Sequence, residues 1–153
     1  MPAYTHRDEN FMRLAIEQAQ LAAQLGEIPV GAVVVKDGQV IGRGYNRRES
    51  DLSAIGHAEI LAIQDACRTL NSWRLTDCEL YVTLEPCPMC AGAIINARIR
   101  RVVYGVKDEK AGCCGSVADF FAMPFSHTPL SRSGILSEEC GRLLTDFFTQ
   151  LRN

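Results

Sequence analysis

The chain has 153 residues, 47% of them hydrophobic and 22% charged, and its formal net charge is −2. This composition excludes disordered and fibrous proteins, and the longest apolar run, over residues 30–35, is far shorter than the roughly 20 residues that a membrane helix requires. The first 20 residues contain acidic groups where a signal peptide has an apolar core. We therefore expect a single cytoplasmic domain over residues 1–153 that contacts no membrane.

Helical and strand patterns alternate along the chain. Thr5 and Asp8 have the spacing of a capping box, Asp37-Gly38 is a hairpin turn signal, and residues 124–131 are irregular. In chain order the predicted elements are a helix over 8–25, strands over 30–35 and 39–45, a helix over 57–70, a strand over 79–84, a helix over 88–97, a strand over 101–106, a short helix over 116–122, a last strand at Ile135 and a terminal helix over 137–150.

This alternation predicts the fold class. Helices between strands favour an α/β protein in which helices cover both faces of one sheet. We expect a three-layer α/β/α sandwich with a mixed sheet of about five strands, mainly parallel, with one antiparallel hairpin over residues 30–45.

Two of the seven cysteines have the spacing of metal ligands, and an odd number of scattered cysteines favours a metal site over a disulfide framework. Cys87 and Cys90 fall in the first turn of a predicted helix, where their sulfurs share one face. His57 is the best third ligand, because His6 is close to the terminus and His127 lies in an irregular segment. Two thiolates and one neutral imidazole leave one position of a tetrahedral zinc ion open, which is the catalytic pattern.

The open position predicts bound water and a need for a proton acceptor. Glu59 fits that role. Residues two apart point to nearly opposite sides of a regular helix, so His57 and Glu59 must both lie at its first turn, with that end aimed into the site.

At these residues the sequence resembles the zinc-dependent cytidine and adenosine deaminase superfamily, whose signature is His-x-Glu followed by Pro-Cys-x-x-Cys. Within that superfamily it is similar to the bacterial tRNA-specific adenosine deaminases over segments spread along nearly the whole chain, namely 27–33, 44–47, 57–60, 80–87, 98–105 and 146–148. The resemblance implies a cytidine-deaminase-like fold and one Zn2+ per subunit.

The resemblance also implies a function. It implies hydrolytic deamination of adenosine to inosine at the wobble position (34) of a tRNA anticodon, usually of an arginine tRNA, with Glu59 moving protons to N1 and to the leaving ammonia. Family members are homodimers that bind the anticodon arm, so the cations at 98–101 and 107–110 face either RNA or the partner subunit. The implied substrate contacts are Asn46, Ala58, Pro86, Asp108 and Phe147. Without the resemblance, Asn46 reads as a turn residue and Phe147 as a core residue.

Two alternatives remain open. A deaminase of a free base or nucleoside, such as guanine or cytosine, would share the metal site but close it with a small pocket. A zinc-stabilised RNA-binding module would use Cys113 or Cys114 as a fourth ligand and would not need an unligated Glu59 beside the metal. We interpret both of those cysteines as packing residues, as we do Cys67, Cys78 and Cys140.

Overall fold

The computed structural model describes residues 2–152, with side chains from His6 onward, so residues 1 and 153 of the expected domain lie outside the described part. In chain order the elements are α1 (Pro2–Gln24), β1 (Gly31–Lys36), β2 (Gln39–Tyr45), α2 (Ala58–Leu70), β3 (Cys78–Leu84), α3 (Pro88–Ala97), β4 (Arg101–Val106), a short 3-10 helix (Phe120–Ala122), β5 (Leu130–Arg132) and α4 (Ser137–Arg152). Within residues 2–152, no helix is both long and apolar enough to cross a bilayer.

The five strands form one sheet in the order β2-β1-β3-β4-β5. β1 is antiparallel to β2 and β3, whereas β4 is parallel to β3 and β5. The structure confirms the α/β class and the mixed five-stranded sheet. The expectation of a mainly parallel sheet is wrong, because α2 carries the chain from β2 across β1, and β3 therefore runs opposite to β1.

Alternate residues of β1 face two different helical layers, as the side-chain alternation of a strand requires. Val33 lies in an apolar cluster with Met12 of α1, and α4 packs on the same face. Its neighbour Val34 lies in the opposite cluster with Ala62 of α2 and Ile94 of α3. The three-layer arrangement is therefore confirmed, and burial on both faces explains why β1 reads as a continuous apolar run.

The last strand is not where the sequence placed it. β5 lies at Leu130–Arg132, inside the segment predicted to be irregular, and Ile135 is not in a strand. Three residues at the sheet edge leave Leu130 65% exposed, so no alternation of apolar residues marks the strand. Ile135 is apolar because it packs in the cluster beneath α1 and α4. The short helix predicted over 116–122 is a single 3-10 turn.

The start of α1 also differs from the prediction. The helix begins at Pro2, which places Thr5 inside it, and Asp8 is fully buried rather than part of a cap. The Asp8 carboxylate lies 2.6 Å from Arg101 and 2.8 Å from Arg132, and it accepts a 2.9 Å hydrogen bond from Tyr81. Arg101, expected to face RNA or a partner, is therefore part of a buried ion-pair network that joins α1 to the sheet.

Candidate active site

Two helices begin at the same place on one face of the sheet. His57 is the N-cap residue of α2 and Cys87 is that of α3, both with extended backbone. Pro88 occupies the first turn of α3, where a missing N–H is tolerated. Neither N-cap side chain makes a capping hydrogen bond, so both side chains are available to the site between the two helix ends.

Three donor atoms converge in that site. His57 Nδ1 lies 3.6 Å from Cys87 Sγ and 3.6 Å from Cys90 Sγ, and the three atoms all lie within 4.8 Å of one another. In a tetrahedral site with zinc–sulfur bonds of about 2.3 Å and zinc–nitrogen bonds of about 2.0 Å, sulfur and nitrogen are about 3.6 Å apart. The cluster can therefore hold a metal ion, and its spacing fits zinc.

The cluster is electrostatically prepared for a cation. The hydrogen bond from the Cys90 thiol, aided by His57 and opposed by burial, lowers the pKa of Cys87 to about 4. The same hydrogen bond, with burial, raises the pKa of Cys90. Both shifts favour the thiolate at Cys87 over that at Cys90, and a bound cation would favour loss of the second thiol proton.

Glu59 is the second residue of α2, so it and His57 both lie in the first turn, which satisfies the geometric condition set by the sequence. Its side chain is buried beside the cluster, and burial raises the pKa of Glu59 to about 7. A carboxyl group held in such a place is a candidate proton acceptor and donor rather than a surface charge.

A cleft of about 160 Å³ opens onto the cluster. The residues that line it come from the strand ends and loops around the two helix N-termini: Ile28, Val30, Asn46, Arg48, His57, Ala58, Glu59, Leu84, Glu85, Cys87, Asp108 and Ala111. Asn46, Ala58 and Asp108, all expected at the substrate, are therefore in the cleft wall. Pro86 and Phe147 do not line it.

Two of the lining side chains also organise their own loops. The Asn46 amide donates to the Ile28 carbonyl oxygen at 3.1 Å and accepts from the Arg48 amide at 3.2 Å. Asp108 Oδ1 accepts from the amides of Lys110 and Ala111. A turn role and a place in the cleft wall are thus compatible for the same residue.

The other two expected contacts lie elsewhere. Pro86 is buried, and its carbonyl oxygen accepts a 2.8 Å hydrogen bond from the Cys113 amide. Phe147 is half-buried on α4, with its ring edge-on to the 41%-exposed Phe148 at 5.5 Å. Cys113 and Cys114 are buried in the loop after β4 and are not in the ligand cluster, as the packing interpretation predicted.

Two buried glutamates beside the cleft, Glu27 and Glu85, were not predicted from the sequence. Glu27 accepts hydrogen bonds from the amides of Glu49 and Ser50, in the loop that leads to His57. Burial alone would raise the pKa of Glu85, but hydrogen bonds from Ser116 and from loop amides hold it below its usual range. One available signal was the position of Glu85, directly after an apolar strand and before the Pro-Cys motif.

Comparisons with known proteins agree with this site. The family model described as MafB19-like deaminase matches residues 6–152. The tRNA-specific adenosine deaminase of Bacillus subtilis (strain 168) is 47% identical, over 95% of this chain and 91% of its own. A structure from studies of A-to-I editing by tRNA:A34 deaminases at the wobble position of transfer RNA is 46% identical with a TM-score of 0.86, over 88% of this chain and 99% of that one. Guanine deaminase from Bacillus subtilis is 33% identical with a TM-score of 0.64, over 95% and 94% of the two chains.

Proposed function

Because the chain belongs to the tRNA-specific adenosine deaminase family, we propose that it hydrolyses adenosine to inosine and ammonia at the wobble position, nucleotide 34, of a tRNA anticodon. The observation that carries this proposal is the convergence of His57, Cys87 and Cys90 with the buried Glu59 on one small cleft. The substrate we expect is an arginine tRNA with adenosine first in the anticodon.

We propose that His57, Cys87 and Cys90 hold one Zn2+ per subunit. Zinc bound there would act as a Lewis acid and would make water a nucleophile near neutral pH. The structure's described residues bring three donors together, one fewer than a closed structural site uses, and Glu59 lies beside them as an unligated carboxylate. Both features favour a catalytic site over a structural zinc module.

Glu59 then performs the proton transfers. Its place next to the cluster and in the cleft wall lets the carboxylate accept a proton from the attacking water. It returns protons to N1 of the adenine and to the amino group that leaves from C6. Burial keeps bulk water away from the carboxyl group during these transfers.

The cleft suits a single base. At about 160 Å³ it is well below the roughly 300–1,000 Å³ of pockets for drug-sized ligands. A base enters such a cleft only when it is turned out of its stack, as in other enzymes that modify bases in nucleic acids. We assign Asn46, Ala58 and Asp108 to the wall around this base. Pro86 supports that wall from behind through Cys113, and Phe147 contacts a neighbouring nucleotide of the anticodon arm.

We also propose a cytoplasmic homodimer in which residues 1–153 form one domain. Exposed large apolar side chains occur on the loop before α2 and on the segment after β4, and both regions carry cleft residues. The most exposed of them are Leu52 at 90%, Val117 at 58%, Ile55 at 54% and Phe125 at 50%. We propose that these exposed apolar groups belong to an interaction surface that a second copy of the chain would cover.

The test is inosine formation on an arginine tRNA transcript with adenosine at position 34, run beside free adenosine, cytidine and guanine. We expect inosine at position 34 and no turnover of the free compounds. A second candidate, a free-base deaminase, is favoured by the size of the cleft and the similarity to a guanine deaminase. Turnover of guanine or cytosine with none on the tRNA would establish it instead.

A further inference from the structure

Glu85 lies directly after β3, at 2% exposure, and its side chain forms part of the cleft wall. We infer that Glu85 is a positioning residue that fixes the loop over residues 107–116, and with it the cleft wall at Asp108 and Ala111, for the deamination of the bound base. This inference rests on the proposed function. It adds a residue that is not a member of the ligand cluster and has no part in the proton transfers described above.

Both oxygens of the carboxylate are used by this one loop. Oε1 accepts from the Asp108 amide at 3.0 Å and from the Ser116 hydroxyl group. Oε2 accepts from the Cys114 amide at 2.9 Å and from the Ser116 amide at 3.1 Å. The four donors span nine residues of the loop, so a single buried anion determines its path.

The loop backbone also passes too close to Glu85 for any side chain to fit between them. A Cβ atom added to Gly112 would lie 2.3 Å from Glu85 Cδ. On either side of the carboxylate the backbone is tied down as well, because the Glu85 amide donates to Val106 and the Cys113 amide donates to Pro86. The segment that enters the Cys87 ligand motif and the loop that forms the opposite wall are therefore held as one unit.

The part of the loop at Cys113 and Cys114 has other anchors, in hydrogen bonds with Pro86 and Tyr104. The part at Asp108 and Ala111 lines the cleft. Asp108 Oδ1 accepts from amides two and three residues later, which closes a local turn but does not connect that turn to the sheet. The Glu85 carboxylate makes that connection, through the amide of Asp108 itself. Loss of the connection displaces Asp108 and Ala111 relative to the metal cluster, and displacement of about 1 Å in a binding wall can reduce a rate about 100-fold.

The change that tests this is Glu85→Gln, which keeps the shape of the side chain but directs an NH2 group at amide donors. We expect kcat/KM on the A34 tRNA to fall about 10- to 100-fold, mainly in kcat, with zinc content unchanged. Amide hydrogen exchange should accelerate at residues 108, 114 and 116. If Glu85→Gln does not fold, the milder variant Ser116→Ala takes its place, because it removes only one side-chain donor to the carboxylate. It should lower kcat/KM about 2- to 10-fold.

Glu79→Gln is the matched control, because Glu79 is an equally buried glutamate near the opposite end of β3 and outside the cleft wall. It should lower the melting temperature while kcat/KM of the folded protein stays within about twofold of wild type. The inference is overturned if folded, zinc-loaded Glu85→Gln has wild-type kcat/KM, or if its activity falls only in proportion to folded protein. Wild-type enzyme in the same assay separates the two proposals, since its failure to form inosine at position 34 removes the proposed function and this inference with it.

Discussion

The carboxylate of Asp8 lies 2.6 Å from the guanidinium of Arg101, although the two buried residues are 93 positions apart in sequence. Arg101 also pairs with Glu79 at 2.9 Å. The network ties the first helix to β3 and β4 on the face of the sheet away from the candidate active site. It is therefore a stabilising feature that is separate from the catalytic one.

Substitution of Asp8 should destabilise the protein strongly. Asp8→Asn leaves Arg101 buried with reduced compensation, and breaking a buried ion pair by removing one partner costs about 3–5 kcal/mol. The remaining pair with Glu79 places the expected loss at the lower end of that range. Denaturant unfolding measures it, and Arg13→Gln, which breaks an exposed pair with Glu139, should cost less than about 1 kcal/mol. An equal loss for both variants would contradict this account.

The same pair predicts an acid dependence of stability. Burial would raise the pKa of Asp8, but hydrogen bonds from Arg101 and Tyr81 outweigh it, and the pKa lies below the usual 3.8. A carboxylate with a lowered folded-state pKa stabilises the fold above its unfolded pKa and loses that contribution as pH falls through the folded value. The difference in unfolding free energy between wild type and Asp8→Asn should be constant from about pH 5 to 8 and shrink below about pH 4. A constant difference down to pH 2 would disprove it.

Close packing of β2 against the start of α2 predicts that a larger residue in β2 weakens metal binding at the site. A Cβ on Gly44 would lie 2.3 Å from the carbonyl oxygen of Ala58, the residue after His57. Gly44→Ala should therefore displace the start of α2, cost about 1–3 kcal/mol and weaken metal binding. Gly42→Ala is the control, because its Cβ would meet Ala62 one turn further along the helix. Titration with a competing chelator compares the zinc affinities of the two variants. Equal affinities would show that the start of α2 does not set the position of His57.

Removal of a ligand should remove the metal. Cys87→Ser and Cys90→Ser should each lower zinc content from about one per chain to near zero and lower the melting temperature, because metal binding contributes to folding at the two helix starts. Cys67→Ser, a half-exposed cysteine outside the cluster, should keep its zinc. Elemental analysis of the purified variants decides this. Full zinc content in Cys90→Ser would exclude the assigned ligand set.

Features with local signals were predictable from the sequence. Cys87 and Cys90 share a helix start with a proline, and His57 begins a helical apolar stripe, so spacing alone places these ligands at helix ends. Asp8 and Arg101 carry no such signal, because an ion pair that joins distant elements looks in sequence like two surface charges. Glu85 has a local signal in its position before the Pro-Cys motif, but its hydrogen-bond partners belong to an irregular loop whose path the sequence does not predict. The edge strand β5 has only three residues and no alternation of apolar and polar side chains, so its sequence has no pattern from which a strand is predicted.

We propose that the three-donor cluster and Glu59 together convert adenosine 34 to inosine. The most direct measurement is the single-turnover rate of inosine formation on an arginine tRNA by wild type and by Glu59→Gln, each with its zinc content determined. We expect inosine only at position 34 with wild type, and a rate for folded, zinc-loaded Glu59→Gln that is lower by about 100- to 10,000-fold. A Glu59→Gln variant that retains zinc and the wild-type rate would contradict it.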